Sequence, residues 1–310
     1  SGVAKDLAKM SSKSAVKLLA PSEAGGLFRW VALLTGSKNA VKGAGFLLGA
    51  ALLALAGFTA SVLAMAAVLA IILAAIIWRM PSGLPRGRKD AKFTEVFSKN
   101  PNINWLSFAR VFLFGARDVW FVVGIPVYFY AVLSDGSEAG NRTAFFTIGS
   151  FMAVWTILYG AVQGSAPKLL RAATRSPADI TADARHWVAA LIAIPAALAA
   201  LVAVAGAPAP WLTATLIAAL LLFGAVFAVN SALHSYLILA FTDARRVTMD
   251  VGFYYMANAA GRLLGTLLSG ASYQWGGLPA CLGTAAVLLC LSWLGASRLS
   301  VRTEPHAPAA

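Results

Sequence analysis

Five basic residues stand inside long apolar stretches of this sequence: Lys38, Lys42, Arg110, Arg117 and Arg262. One acid, Asp118, stands at similar depth. A charge in an apolar helix is costly and marks a functional position by default. Purely structural charges tend to come in opposite pairs, so the excess of cations calls for water or an anion as partner. Arginine grips two oxygens at once, whereas lysine acts as a point charge. Together these residue types offer binding of phosphate, carboxylate or arsenate oxygens.

Spacing sorts the candidates onto faces. Arg110 and Arg117 are seven apart, and Lys38 and Lys42 four apart, so each pair shares a helix face. Asn258 and Arg262 do the same, with Tyr255 seven before Arg262. Asn230 and His234 form a further polar pair on the preceding apolar run. These nine residues are the expected binding set. Asp118 and His234 are the buried titrating groups and the candidates for proton coupling. Plainer roles compete: snorkelling for Lys38 and Arg110, a structural ion pair for Arg117 and Asp118, interhelical hydrogen bonds for Asn230 and His234. The ladder Lys5, Lys9, Lys13, Lys17 reads as a solvated face. Cys281 and Cys290, nine apart, fall on opposite faces. No CxxC, HExxH or GxxxxGK[ST] pattern occurs, so neither a metal, nor a cofactor, nor enzymatic chemistry is expected.

Long apolar runs must hold these groups. The chain is 59% hydrophobic and 12% charged, against about 25% charged in soluble domains, which implies a bilayer as solvent. The +13 net charge lies mostly in short loops, a pattern of membrane orientation rather than of a nucleic-acid groove. Apolar regions are read at about 30–55, 59–78, 105–132, 143–166, 186–205, 211–241, 251–273 and 278–296, after a stub at 1–18. If the spans alternate, one side collects Lys5 to Lys17, Arg29, the Arg79–Lys99 cluster, Lys168 to Arg185, Arg245, Arg246, Arg298 and Arg302. The other side keeps Arg142, beside Asp135 and Glu138, and uncharged turns near Gly57, Pro208 and Gly276. The expected fold is an all-α polytopic membrane bundle with about eight transmembrane helices.

The Pro- and Gly-interrupted stretch 79–104 divides residues 1–78 from 105–297, with a tail at 298–310. Two full spans precede it and six follow. A six-plus-six arrangement therefore expects about four further helices ahead of Ser1. An internal echo aligns Lys42 with Arg262, Gly45 with Gly265 and Gly49 with Ser269. The small residues Gly43, Gly45, Gly49, Gly261, Gly265 and Ser269 have small-xxx-small spacing and are expected at close helix crossings. Pro126 is expected to bend its span.

The strings SGVAKDLAKMSSKSAVKLLAP, TGSKNAVKGAGFLLG, FLFGARDVWFVVGIPV, FAVNSALHSYLILA and GFYYMANAAGRLLGTLLSG resemble the ArsJ-type organoarsenical efflux permeases of the major facilitator superfamily. The likeness runs from Ser1 to about Ala296. It implies a twelve-helix major-facilitator-type permease of the bacterial inner membrane, with helices 1–3 and most of helix 4 absent from this sequence. It further implies export of 1-arseno-3-phosphoglycerate, an ester made by glyceraldehyde-3-phosphate dehydrogenase when arsenate replaces phosphate, and hence arsenate resistance. A carrier of another organic anion such as a sugar phosphate, or a non-transporting fragment or scaffold, are the alternatives. A lone deep acid argues against a membrane-embedded enzyme.

Overall fold

The structure, a computed structural model, describes residues 11–13, 15–17, 25–79, 97–243 and 246–300. These residues are 91% helical and include no strand. Six helices among them are long and apolar enough to cross a membrane. Lys5, Lys9, most of the stretch 79–104, Gly49, the Arg142 side chain, Arg245, and Arg302 with the rest of the tail beyond 300 lie outside what is described.

Helix α1 is Gly26–Arg79, α2 is Pro101–Val119, and α3 is Ile125–Leu133. Helix α4 is Glu138–Leu169, α5 is Pro177–Ala205, α6 is Pro210–Phe241, and α7 is Val247–Ser297. Local chemistry sets most of the starts. Asn100 caps α2 by accepting from the Asn102 amide at 3.0 Å, with Pro101 at the first turn, where its missing N–H costs nothing. Ser137 caps α4. Ser176 and Asp179 form a reciprocal capping box ahead of α5. That box starts the helix at Pro177 rather than at His186, so half of the expected basic loop is helical.

Two turns read from sequence have opposite outcomes. Gly276 and Gly277 carry non-helical angles and break α7 in two. Pro279 follows closely and reinforces the break. No turn forms near Gly57, and α1 runs unbroken for 54 residues, about 80 Å at 1.5 Å per residue. The reason is local. An isolated glycine costs a helix only about 1 kcal/mol, and no proline lies anywhere within α1. The apolar part from Thr59 to Arg79 is almost unburied within the chain, so no partner draws it back. Placing Arg29 and Arg79 on the same side needs a turn that α1 does not have.

Pro126 acts one turn before itself. Residues Trp120–Gly124 form a π-helical segment between α2 and α3. Proline has no N–H for the preceding turn and its ring crowds the carbonyl four residues back; widening the turn relieves both.

Two apolar clusters frame the interior. One lies near the basic-loop ends of the helices, around Phe28, Ile103, Leu106, Leu170, Leu237 and Val251. The other lies further along, around Leu113, Trp120, Phe223, Phe227 and Leu282. Trp120 is fully buried and meets Trp155 and Phe223 edge to face at 5.9 and 5.2 Å. The Trp155 indole donates to the Leu220 carbonyl at 2.9 Å across the space left by Gly224. Between the two clusters lies a polar cavity.

Glycines set the closest helix crossings. A side chain on Gly36 or Gly160 would collide with the facing backbone of α4 or α1. Gly261 and Gly265 likewise press on Val111 and Gly115 of α2. The hydroxyl of Ser269 donates to the Val119 carbonyl. Gly43 is packed against Ile157, but a side chain added at Gly45 would meet nothing within 4 Å among the described residues. The sequence echo therefore does not carry over into equivalent packing at Gly45 and Gly265.

Candidate anion site

The cavity has a volume of about 130 Å³ and lies between α1, α2, α4, α6, α7 and the short helical segment around Lys13. Its wall contains Lys38 and Lys42 from α1, Arg110 and Arg117 from α2, and Tyr255, Asn258 and Arg262 from α7. Seven of the nine expected binding residues thus meet in one place. At about 1.5 Å per residue from the basic-loop ends, Arg110, Asn258 and Lys38 lie about 14–18 Å in. Lys42, Arg117 and Arg262 lie about 22–24 Å in on the same measure.

Arg110 is the best-anchored cation. It is 6% exposed, and its Nε donates to Asn258 Oδ1 at 3.1 Å while one terminal nitrogen donates to Ser231 Oγ at 3.1 Å. Its guanidinium also rests 3.7 Å from the Phe114 ring centroid. Burial of an uncompensated charge would be prohibitive. Two hydrogen bonds and a cation–π contact offset part of that cost here. This is not a snorkelling side chain.

Asp118 sits 1% exposed behind the wall and serves two arginines. Arg117, the preceding residue, holds Oδ1 through Nε at 2.7 Å and through a terminal nitrogen. Arg262 holds Oδ2 through Nε at 3.0 Å. The pairing exists because α2 and α7 touch through glycine. At Gly265 the nearest atoms to an added side chain include Asp118 Cβ, so Arg262, less than one turn earlier, reaches the carboxylate. Asp118 is thus an interhelical counter-ion.

Asn230 and His234 do not join the site. Both are fully buried away from the cavity wall. Asn230 Nδ2 donates to the Ala184 carbonyl at 3.4 Å, and neither His234 ring nitrogen has a hydrogen-bond partner among the described residues. The face of α6 that lines the cavity is instead Ser231 and Ser235, the same i,i+4 spacing one residue on. One residue turns a helix by about 100°, which separates the two pairs.

Several wall residues were not singled out as site residues from sequence. Lys13 is 2% exposed, with its ammonium 4.9 Å from the Tyr254 ring centroid and 5.2 Å from that of Tyr255. The expected solvated face fails here because α7 covers it. Lys17, off the cavity wall, donates to the Leu239 carbonyl at 2.6 Å. Tyr159 and Gln163 of α4 both donate to Ser231 Oγ, at 3.0 and 3.2 Å. Asn39 donates to Gln163 Oε1 at 2.6 Å. A polar chain therefore runs Asn39–Gln163–Ser231–Arg110–Asn258 through five helices. A glutamine amid apolar residues at 163 was the available signal.

Six cationic side chains line the cavity, and its wall holds no carboxylate among the described residues. It holds no cysteine either. Cys281 is buried elsewhere and Cys290 is exposed, both free. No group of three or more His, Cys, Asp or Glu is placed to hold a metal among the described residues. No protein-family model, curated protein or solved structure matches the chain.

Proposed function

We propose that the cavity is the substrate site of a secondary transporter that exports 1-arseno-3-phosphoglycerate by alternating access. The observation that carries this reading is the gathering of six cations, Lys13, Lys38, Lys42, Arg110, Arg117 and Arg262, around one space whose described wall residues include no carboxylate. An ester with carboxylate, phosphate and arsenate groups presents hard oxygens that Lys and Arg recognise. A trivalent arsenical would call for soft thiolates, and the wall offers none. The sequence likeness to the organoarsenical permeases supplies the substrate, the major-facilitator-type bundle and the bacterial inner membrane. In this reading α1 belongs to one half and α2 to α7 to the other, with cations from both meeting in the cavity.

Arsenate resistance tests the proposal. Cells that express the transporter with glyceraldehyde-3-phosphate dehydrogenase should survive arsenate, and cells that lack either protein should not. Everted membrane vesicles should accumulate the arseno-ester, with 3-phosphoglycerate as a competitor. Uptake of sugar phosphates with no gain in resistance would assign the site to another organic anion. Arg117→Ala and Arg262→Ala should each lower uptake about tenfold or more, the loss of one charge-assisted contact. Unchanged uptake in both removes the site assignment.

A further inference from the structure

Asp118 is in contact with two of the cavity's cations, Arg117 and Arg262, and three observations give it a distinct place. It is buried behind the wall, at 1% exposure. It engages Arg117 and Arg262 through different oxygens. Arg262, though anchored, keeps 53% of its side chain exposed and lines the cavity. The guanidinium is therefore held by its Nε edge from behind while the rest of the group faces the space where an anion would sit. A planar fork with several donors can serve two anions in this way; a lysine ammonium has no separate rear edge.

We infer that Asp118 is the positioning residue and built-in counter-charge of the anion site: it orients Arg117 and Arg262 and weakens anion binding enough to permit release. This inference rests on the anion-site reading above and deepens it. The physical balance has two parts. Orientation raises affinity, because the guanidiniums need not be ordered when the anion arrives. Like charge lowers it, because the carboxylate stands one guanidinium away from the bound anion. At a separation of about 6 Å and an effective dielectric of about 20, that repulsion alone amounts to about a hundredfold in affinity, of which the lost orientation takes back part. An asparagine at 118 keeps an acceptor oxygen for an arginine and loses the charge. The charge effect then dominates, and binding tightens.

Binding of 3-phosphoglycerate and of inorganic phosphate to the purified chain in lipid nanodiscs, read by calorimetry, provides the test. Asp118→Asn should bind about tenfold more tightly than the parent. In vesicles its KM and its turnover should both fall, since release slows. Arg262→Lys should bind several-fold more weakly, because its single ammonium is drawn onto Asp118. Adding Asp118→Asn to Arg262→Lys should restore binding. A folded Asp118→Asn variant with unchanged or weaker binding overturns the inference. If that variant does not fold, Arg262→Lys decides alone: parent-like affinity overturns it. A parent chain that binds neither probe removes the anion-site reading and this inference together. Binding by the parent without the opposed shifts removes this inference only.

Discussion

Two of the glycine-lined helix crossings are built differently. In the first, α1 meets α4 head to tail: Gly36 faces Gly160 and Gly164, and Gly43 faces Ile157 and Ala153. In the second, α2 and the first part of α7 run side by side, with Gly261 on Val111 and Gly265 on Gly115. Polar rungs tie the second crossing. Arg110 meets Asn258, Asp118 meets Arg262, and the Ser269 hydroxyl bonds to the carbonyl of Val119. At the first, Asn39 of α1 donates to Gln163 of α4. Smooth glycine contact with few polar ties can slide; the same contact laced by ion pairs resists it. Under the proposed transport reading, α2–α7 would be the fixed seam of the site and α1–α4 the seam that slides.

Breaking the fixed seam should cost most. Gly265→Leu drives a side chain into the Gly115 backbone, and neither helix can withdraw without losing the Asp118–Arg262 pair. Destabilisation of about 3 kcal/mol, with loss of the folded peak in detergent size-exclusion, is the expected outcome. Gly160→Leu attacks the sliding seam, where α1 can move away. The remaining helices should stay folded, with a lower melting temperature and a severalfold or greater loss of vesicle uptake. Equal stability losses for the two variants would erase the contrast. His234→Gln removes a buried group off the cavity wall. Uptake should keep its pH profile, with a stability change within about 1 kcal/mol, whereas a flattened profile would return His234 to proton coupling. Gly45→Ala should be the mildest change, neutral or stabilising by about 0.5–1 kcal/mol in a thermal melt, since the added methyl meets nothing within 4 Å among the described residues.

Residue type disclosed more of this site than pattern did. Lys42, Arg117 and Arg262 are conspicuous because a charge in an apolar run has few explanations, and all three reach the cavity. Facing was harder to read. Asn230 and Ser231 are neighbours, and only the partner helices decide which of them turns inward. The larger polar group was the natural choice, and the serine is the one that lines the wall. Lys13 looked like part of a solvated ladder because its cover comes from Tyr254 and Tyr255, more than 200 positions later. Gly45 and Gly265 occupy equivalent places in the sequence echo yet only Gly265 is in contact. Small side chains permit close approach without dictating it. The break at Gly276 was legible because Gly277 and Pro279 reinforce it, while Gly57 stood alone.

The wide turn at Trp120–Gly124 fixes the winding phase of everything beyond it. One surplus residue there offsets the downstream helix by about 100° from where regular winding would leave it. Ile125 and Phe129 consequently point into the apolar interior, and the Tyr130 hydroxyl finds Asn141 at 2.8 Å. Excising a single valine, Val122 or Val123, would restore regular winding, swing Tyr130 off Asn141 and carry Phe129 out of the interior, while Arg117 and Asp118 upstream kept their aim.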